Sequence, residues 1–202
     1  MMTITYEGRN SIYVNMTNRC PCACTFCLRH NKDNVFKSDS LWLDREPTVE
    51  EVCESIDSRD LSKYDEVVFC GYGEPTERLD DLLEVARYLK SKGRIKTRIN
   101  TNGLSDLIAG EKTAHKLNGL IDTVSISLNA TNEEDYLKLV RPKFGAGSFD
   151  AMLSFAKDCT SYVPEVVMTV VDVVTSKEEQ ELSRKICDSI GVTLRVRPYE
   201  AG

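Results

Sequence analysis

Apolar runs of strand length alternate along the chain with longer segments in which apolar residues recur at a helical spacing. The runs that have the length and composition of strands are 11–16, 66–70, 97–101, 123–128, 166–173 and 193–196. Strands that alternate with helices are typical of consecutive right-handed strand-helix units around a parallel sheet. The pattern therefore predicts an α/β fold, with one domain over residues 1–202.

End signals in the sequence define several of the helices. Thr48 is an N-cap residue followed by a valine and two glutamates, and Gly191 is placed as a C-cap. The predicted helices are 48–58, 80–91 and 176–190, and residues 29–46 are predicted as a long irregular loop.

The strands alternate between apolar and polar positions, although parallel strands are usually apolar on both faces. In the fourth strand, Val124 and Ile126 share one face, and Ser125 and Ser127 share the other. The same polar parity holds for Tyr13, Asn15, Thr17, Arg98, Asn100, Asn102, Asn129, Arg195 and Arg197. We expect the apolar face to meet the helices and the polar face to curl around a polar ligand, as a partial (β/α)6 barrel with an open side. An antiparallel sheet with one face in water is the alternative.

Length and charge narrow the class of protein. The 202 residues are 41% hydrophobic, which allows a sizeable core. A net charge of −6 and a pI near 5.1 argue against a dedicated nucleic-acid surface. No apolar run approaches the ~20 residues that span a bilayer, and no secretory segment opens the chain. A cytoplasmic protein is expected, without nucleic-acid or membrane partners.

Half of the chain's eight cysteines fall within residues 20–27. Cys20, Cys24 and Cys27 form a C-x3-C-x2-C run, and three thiolates on one loop can hold three irons of a 4Fe–4S cubane. The fourth iron would keep an open coordination site for a substrate or cofactor. The alternatives are a zinc site built from all four cysteines, including Cys22, and disulfide pairing in an oxidising compartment.

The cysteine run resembles the signature of the radical S-adenosylmethionine (radical SAM) superfamily, C-x3-C-x-aromatic-C, with Phe26 at the aromatic position. Gly71-Tyr72-Gly73-Glu74, after the second strand, resembles the superfamily's GGE motif, and Thr101-Asn102-Gly103, after the third, resembles its TNG segment. The resemblance implies a partial (β/α)6 barrel with the cluster loop at about 16–31, after the first strand.

The resemblance also implies roles for individual residues. Cys20, Cys24 and Cys27 would hold the cluster as the catalytic metal ligands. The residues implied to bind S-adenosylmethionine are Phe26, Gly71, Tyr72, Gly73, Glu74, Thr101, Asn102, Ser125, Ser127 and Asn129, with Glu74 at the amino group. On the third strand, the alternation predicts that Asn102 faces inward, whereas the resemblance favours Thr101 as the inward residue. Both possibilities stay open.

A closer resemblance, over nearly the whole chain, is to the small radical SAM proteins called TatD-family-associated. It is carried by NMTNRCPCACTFCLRHN, LWLDREPTVEEV, SKYDEVVFCGYGEPT, SISLNA, KLVRPKFG and VTLRVRPYE. The reaction of that family is unassigned, so the resemblance implies a fold and cofactors but no substrate.

Radical chemistry is the function that the superfamily implies. A reduced 4Fe–4S cluster would cleave S-adenosylmethionine to methionine and a 5'-deoxyadenosyl radical, which abstracts hydrogen from an unidentified substrate. A flavodoxin or ferredoxin would supply the electron. One alternative is an activating protein for a glycyl-radical enzyme, which requires a large protein partner. The other is a non-catalytic iron–sulfur or zinc binding module.

Alternation on the sixth strand places Arg195 and Arg197 on the inward face. Burying two guanidiniums is costly without anionic partners, and Asp172 alone cannot neutralise both. The surplus charge predicts a substrate carboxylate or phosphate that these arginines bind. The alternative is that both lie on an exposed edge or pair with surface acids such as Glu200.

The remaining reactive side chains receive structural interpretations. Cys22 breaks the spacing of the triad and is interpreted as a bystander. For Arg141-Pro142-Lys143, two interpretations stay open: the segment binds an anion, or it forms a solvated loop. Inert buried thiols are expected at Cys53, Cys70, Cys159 and Cys187, and solvated side chains at His30 and His115.

Overall fold

In the part of the chain that the structure describes, one sheet of seven strands forms the centre, and the strands neighbour each other in chain order. The computed structural model describes residues 2–30, 35–36, 38–93, 95–172 and 175–198. The strands are β1 (Thr5–Gly8), β2 (Ser11–Val14), β3 (Glu66–Phe69), β4 (Lys96–Thr101), β5 (Thr123–Ser127), β6 (Glu165–Val171) and β7 (Thr193–Arg197). Strands β2 to β7 run parallel, so the predicted parallel sheet is confirmed and the antiparallel alternative is wrong. The predicted end of the fifth strand, Val173, lies outside the described residues.

Among the described residues, six α-helices connect the strands: α1 (Val49–Asp57), α2 (Leu79–Lys92), α3 (Ser105–Ala109), α4 (Glu133–Val140), α5 (Ser148–Cys159) and α6 (Lys177–Ile190). Thr48 and Glu51 form a capping box at the start of α1, and Ser176 caps α6 in the same way. Gly191 ends α6 in the left-handed conformation, with φ 75°. The three predicted helices are confirmed, whereas α3, α4 and α5 have no predicted bounds. None of the described helices is long and apolar enough to cross a bilayer.

Strand β1 adds an antiparallel strand that the sequence does not indicate. It pairs with β2, with Thr5 opposite Val14. Arg9 and Asn10 connect the two strands with positive φ angles of 46° and 58°, which is the backbone of a two-residue hairpin turn that matches the twist of the strands. The short segment TYEG has no apolar alternation, and this is why the pattern does not reveal it.

The helices cover one face of the sheet. Ile12 and Val14 of β2 and Val124 and Ile126 of β5 are at most 1% exposed there, in a core that includes Val52 of α1. These strand residues have the predicted parity. The apolar face therefore meets the helices, as the sequence indicates.

The opposite face, here called the inner face, is apolar around β2 and β3. Tyr6, Tyr13, Leu41, Val68 and Tyr72 form a second apolar cluster on it. Leu41 belongs to the predicted irregular loop and is fully buried. The prediction of an entirely polar interior is therefore wrong at β2 and β3, because the described part of this loop folds back over them.

Candidate active site

The four neighbouring cysteines lie on the loop that leaves β2. Cys20, Cys24 and Cys27 are half-buried free thiols, whereas Cys22 is buried, with 4% of its surface exposed. The N–H groups of Cys27 and His30 donate to the carbonyls three residues earlier, which closes this part of the loop into tight turns. The three cysteines of the predicted triad thus share one compact loop and a similar exposure.

The C-terminal end of α4 supports the cysteine loop. The N–H of Ala23 donates to the Val140 carbonyl at 3.1 Å, and the N–H of Thr25 donates to the Leu139 carbonyl at 2.9 Å. The last carbonyls of a helix have no partner within the helix, and here the loop supplies one. Segment 141–143 also donates an N–H to the loop. Its backbone therefore has a supporting role that neither of the two interpretations above includes.

Contacts between the thiols change their acidity. Hydrogen bonding to Cys22 lowers the pKa of Cys20 and of Cys24, although burial opposes the effect. The same contacts raise the pKa of Cys22, and burial raises the pKa of Cys27. Because the thiolate is the form that binds a metal, Cys22 promotes the ligand form of two cysteines. The predicted bystander thus contacts two of the implied ligands.

The donor set fits an iron–sulfur cluster. Within the described ranges, no three Cys, His, Asp or Glu side chains converge closely enough to share a single metal ion. A cubane places each cysteine on a different iron, so its ligands stand apart. Cys20, Cys24 and Cys27 supply three thiols on one loop, which is the ligand number that leaves one iron open.

Gly71 and Gly73 lie where the chain leaving β3 meets the start of the cysteine loop. A Cβ atom on Gly71 would come within 2.1 Å of Asn15 Oδ1, and one on Gly73 within 2.2 Å of the Thr17 carbonyl oxygen. Only glycine permits this approach. The backbone N–H of Glu74, the residue after Gly73, donates to the Arg19 carbonyl at 2.8 Å. The two segments are therefore held side by side.

Glu74 is buried, with 4% of its surface exposed, and joins the ends of β3 and β4. Its Oε1 accepts from the N–H and hydroxyl of Thr76 and, at 2.6 Å, from the hydroxyl of Thr101. Its Oε2 accepts from the N–H of Asn102 at 2.7 Å. Burial raises the pKa of this carboxyl, and the hydrogen bonds oppose the rise. A carboxylate has about four acceptor sites, so this geometry favours a structural role over the implied contact with an amino group.

Thr101 and Asn102, at the end of β4, both contact neighbouring motifs. Thr101 is buried and bonded to Glu74, whereas Asn102 Nδ2 donates to Cys22 Sγ at 3.5 Å. The Leu104 N–H donates to Asn102 Oδ1 at 2.9 Å, which fixes the orientation of the amide. The TNG segment therefore links Glu74 to the cysteine loop.

The other residues implied to bind S-adenosylmethionine differ in exposure. Phe26 is 40% exposed, whereas Tyr72 is buried in the apolar cluster of the inner face. Ser125 and Ser127 belong to β5, on the side of the strand opposite its core residues. Asn129 follows this strand in the left-handed conformation, with φ 62°, so the alternation of β5 does not extend to it.

Arg197, at the end of β7, lies among other arginines. Its side chain keeps access to solvent, yet desolvation by the surrounding protein lowers its pKa. Cys70 opposes this effect, whereas Arg9, Arg195 and Arg98 lower the pKa further. Arg98 pairs with Glu66 at 2.8 Å. The Nε of Arg98 is buried and has no hydrogen-bond partner in the described part of the chain. Several arginines therefore lie near one another at this end of the sheet.

Arg195 lies on β7, and Asp172 follows the neighbouring strand β6. Arg195 Nη2 is 3.9 Å from Glu165 Oε1, and its side chain is 42% exposed, so it matches the alternative of an exposed edge. Asp172 lies one residue past β6, and its backbone N–H donates to the Arg197 carbonyl at 3.0 Å. The alternative partner Glu200 lies outside the described residues.

Two buried side chains that border the site carry no signal in the sequence. Arg78, with 9% of its side chain exposed, donates to the carbonyls of Met16 and Pro47 at 2.9 and 2.7 Å and pairs with Asp81 at 2.7 Å. Its surroundings, TERLDD, are typical of a solvated helix start. Tyr136 is fully buried in α4, a helix without predicted bounds.

The sequence profile of the Radical SAM superfamily matches residues 14–186. The chain belongs to the radical SAM superfamily. Its members are enzymes that use a 4Fe–4S cluster and S-adenosylmethionine, so both cofactors implied by the cysteine run are supported. The match reaches the superfamily and does not extend to the TatD-family-associated group.

Two relatives have a third of their aligned residues in common with this chain. A protein of Methanocaldococcus jannaschii, provisionally named as a glycyl-radical enzyme activating enzyme, is 33% identical over 128 residues, which cover 63% of this chain and 47% of that protein. The Fe-coproporphyrin III synthase of Methanosarcina barkeri is 33% identical over 164 residues, which cover 79% of this chain and 36% of that protein. The chain spans about half or less of the length of these relatives.

Solved radical SAM structures have the same fold. Streptococcus suis SuiB bound to S-adenosylmethionine superposes with a TM-score of 0.62 at 18% identity, over 93% of this chain and 38% of that one. A radical SAM methyltransferase from Sphaerobacter thermophilus gives 0.61 at 17% identity, over 98% and 69%. At these identities the likeness concerns the fold alone, and it confirms the predicted partial barrel.

Proposed function

We propose that this chain is a radical SAM enzyme whose Cys20, Cys24 and Cys27 hold the 4Fe–4S cluster. The observation that carries the proposal is the convergence of three motifs. The GYGE segment bonds to the cysteine loop through the Arg19 carbonyl, and the TNG segment bonds to it through the Cys22 sulfur. Members of the superfamily are enzymes, and this arrangement assembles their motifs around one loop.

Cys20, Cys24 and Cys27 would hold a 4Fe–4S cluster that would supply one electron for the cleavage of S-adenosylmethionine to methionine and a 5'-deoxyadenosyl radical, which would take a hydrogen atom from the substrate. The chain's residues bind and orient these groups. Glu74 acts indirectly, because it holds the end of β4 in place. The residues that we place around S-adenosylmethionine are Phe26, Gly71, Tyr72, Gly73, Thr101, Asn102, Ser125, Ser127 and Asn129.

The substrate in this proposal is an anion. The supporting observation is the proximity of Arg98 to Arg197: desolvation lowers the pKa of Arg197, and the charge of Arg98 lowers it further. Among the described acids, only Glu66 lies within ion-pair distance of Arg98. A carboxylate or phosphate would relieve this repulsion, and guanidinium binds either group in bidentate fashion. Arg195 and Asp172 belong to the border of the same region.

The finer assignments rest on the sequence. We place the chain among the TatD-family-associated radical SAM proteins, as a single radical SAM core domain in the cytoplasm. A flavodoxin or ferredoxin is the proposed electron donor.

A second candidate function is the activation of a glycyl-radical enzyme. The name of the Methanocaldococcus jannaschii relative favours it. In that case the hydrogen donor is a backbone glycine of a large protein partner. The two functions differ in the size of the substrate, so passing a stimulating cell extract through a membrane that retains proteins distinguishes them.

The experiment that tests the proposal is anaerobic purification and reconstitution with iron and sulfide. The wild-type protein is expected to be brown, and S-adenosylmethionine should change the electron paramagnetic resonance signal of its reduced cluster. Reduction with S-adenosylmethionine should yield 5'-deoxyadenosine, with more formed when cell extract is added. The matched control is Cys24→Ala, which removes one implied ligand and is expected to keep the fold. A wild-type protein that binds zinc instead of iron, or a cluster signal that ignores S-adenosylmethionine, contradicts the proposal.

A further inference from the structure

Tyr136 is a fully buried tyrosine whose hydroxyl has no hydrogen-bond partner among the residues that the structure describes. Its ring packs against Phe149, with 5.5 Å between the centroids. Buried polar groups are nearly always hydrogen-bonded, because an unpaired hydroxyl loses its contact with water and gains nothing in return. Phenylalanine would fill the same space without this loss. None of the residues that the structure describes supplies a partner, so the hydroxyl is available to a bound group.

The position of Tyr136 identifies the region that would supply the partner. It lies in α4, one turn before the carbonyls of Leu139 and Val140 that receive the N–H groups of the cysteine loop. Burial raises the pKa of Tyr136, and the charges of Cys22 and Cys24 raise it further. A tyrosine hydroxyl is protonated near neutral pH, so Tyr136 offers a donor on the helix whose end contacts the cysteine loop.

We propose that the Tyr136 hydroxyl donates a hydrogen bond to an inorganic sulfide of the iron–sulfur cluster, and that this bond raises the reduction potential of the cluster. This inference rests on the proposed function. Reduction adds negative charge to the cluster, and a donor directed at its sulfurs stabilises the more negative state. Tyr136 is thus a positioning residue, which acts on the cluster and not on the substrate.

Tyr136→Phe removes the hydroxyl alone, and Tyr162→Phe is the matched control. Tyr162 is 40% exposed and its ring meets His115, so its hydroxyl has access to water. The wild type and both variants are reconstituted anaerobically and their iron contents are compared. The midpoint potential is then measured by redox titration, followed by electron paramagnetic resonance without S-adenosylmethionine. We expect Tyr136→Phe to bind the same iron at a more negative potential, and Tyr162→Phe to match the wild type.

Thermal melting of the cluster-free proteins gives a second readout. Because the hydroxyl has no partner without the cluster, cluster-free Tyr136→Phe should melt at the same temperature as the wild type or higher. An unchanged potential, a lower melting temperature of the cluster-free variant, or a loss of iron from the variant each overturn the inference. A wild-type protein that takes up no cluster contradicts the proposed function instead, and the iron analysis detects this first.

Discussion

The side-chain amide of Asn102 donates a hydrogen bond to the sulfur of Cys22 across 3.5 Å, between residues 80 positions apart in the chain. The backbone N–H of the same asparagine donates to Glu74, so one residue connects the end of β4 to both the cysteine loop and the GYGE segment. A displacement of any of these three parts therefore strains the other two.

Alanine variants should distinguish the cysteines that bind the cluster from Cys22, which only lies beside them. Cys20→Ala, Cys24→Ala and Cys27→Ala should each abolish cluster binding, because three ligands are the minimum for holding the cubane. Cys22→Ala should keep the cluster. Iron content and visible absorption of the anaerobically reconstituted proteins check this, with Cys187→Ala as the control for a buried thiol away from the loop. A colourless Cys22→Ala protein beside a coloured Cys24→Ala protein is incompatible with the assignment.

Gly73→Ala should impair the site because the added methyl group would clash with the backbone of Thr17. Its Cβ would lie 2.2 Å from the Thr17 carbonyl oxygen, and such overpacking costs about 1–3 kcal/mol of unfolding free energy. Gly119→Ala has open space around it, so only its left-handed backbone, with φ 71°, opposes the substitution, at about 1–2 kcal/mol. Chemical denaturation should show a loss of stability in both variants, whereas iron uptake should fall only in Gly73→Ala. Equal iron uptake would mean that the close approach is unnecessary for the site.

Glu74→Gln and Asn129→Ala should weaken the binding of S-adenosylmethionine while the cluster remains. In Glu74→Gln, an amide that also donates replaces an oxygen surrounded by donors, so the unfolding free energy should also fall, by about 1–3 kcal/mol. Asn129→Ala would remove the polar contact with S-adenosylmethionine that we propose at the end of β5, with an effect of about 1 kcal/mol on binding. Calorimetric titration measures both affinities. If neither affinity changes, these two strand ends do not form the S-adenosylmethionine site.

Arg197→Ala should abolish the response to an anionic substrate. Anaerobic cell extract is separated by anion exchange, and each fraction is tested for its ability to increase 5'-deoxyadenosine formation. The stimulating fraction should be one that the resin retains, and it should act on the wild type and on Arg184→Ala, an exposed arginine of α6, but not on Arg197→Ala. Stimulation by the unretained fraction, or full stimulation of Arg197→Ala, refutes an anionic substrate held by this residue.

Local signals account for the parts of the fold that the sequence predicts. The alternation of Val124 with Ser125 fixes which face of β5 meets the helices, and Thr48 with Glu51 fixes the start of α1. Such signals depend on residues within a few positions of each other. Motif resemblance extends them to the strand ends, where Thr101 and Asn102 both take part.

The remainder depends on contacts between distant parts of the chain. Alternation marks Tyr13 as facing inward but cannot show that Leu41 covers it. Likewise, the buried position of Tyr136 depends on α4 meeting the cysteine loop, and no local pattern records that meeting. Arg78 has the surroundings of a solvated residue, yet two distant parts of the chain, at Met16 and at Glu46 and Pro47, contact it.

The hydrogen bonds between the cysteine loop and the end of α4 have a consequence for biosynthesis. Thr25 and Leu139 are 114 positions apart, so a nascent chain that has not yet left the ribosome beyond residue 139 offers no carbonyls for the loop's amides. The thiols emerge early, but their support is completed after more than half of the chain has been made. Cluster insertion should therefore follow translation of α4, and truncation before this helix should leave a chain that cannot retain iron.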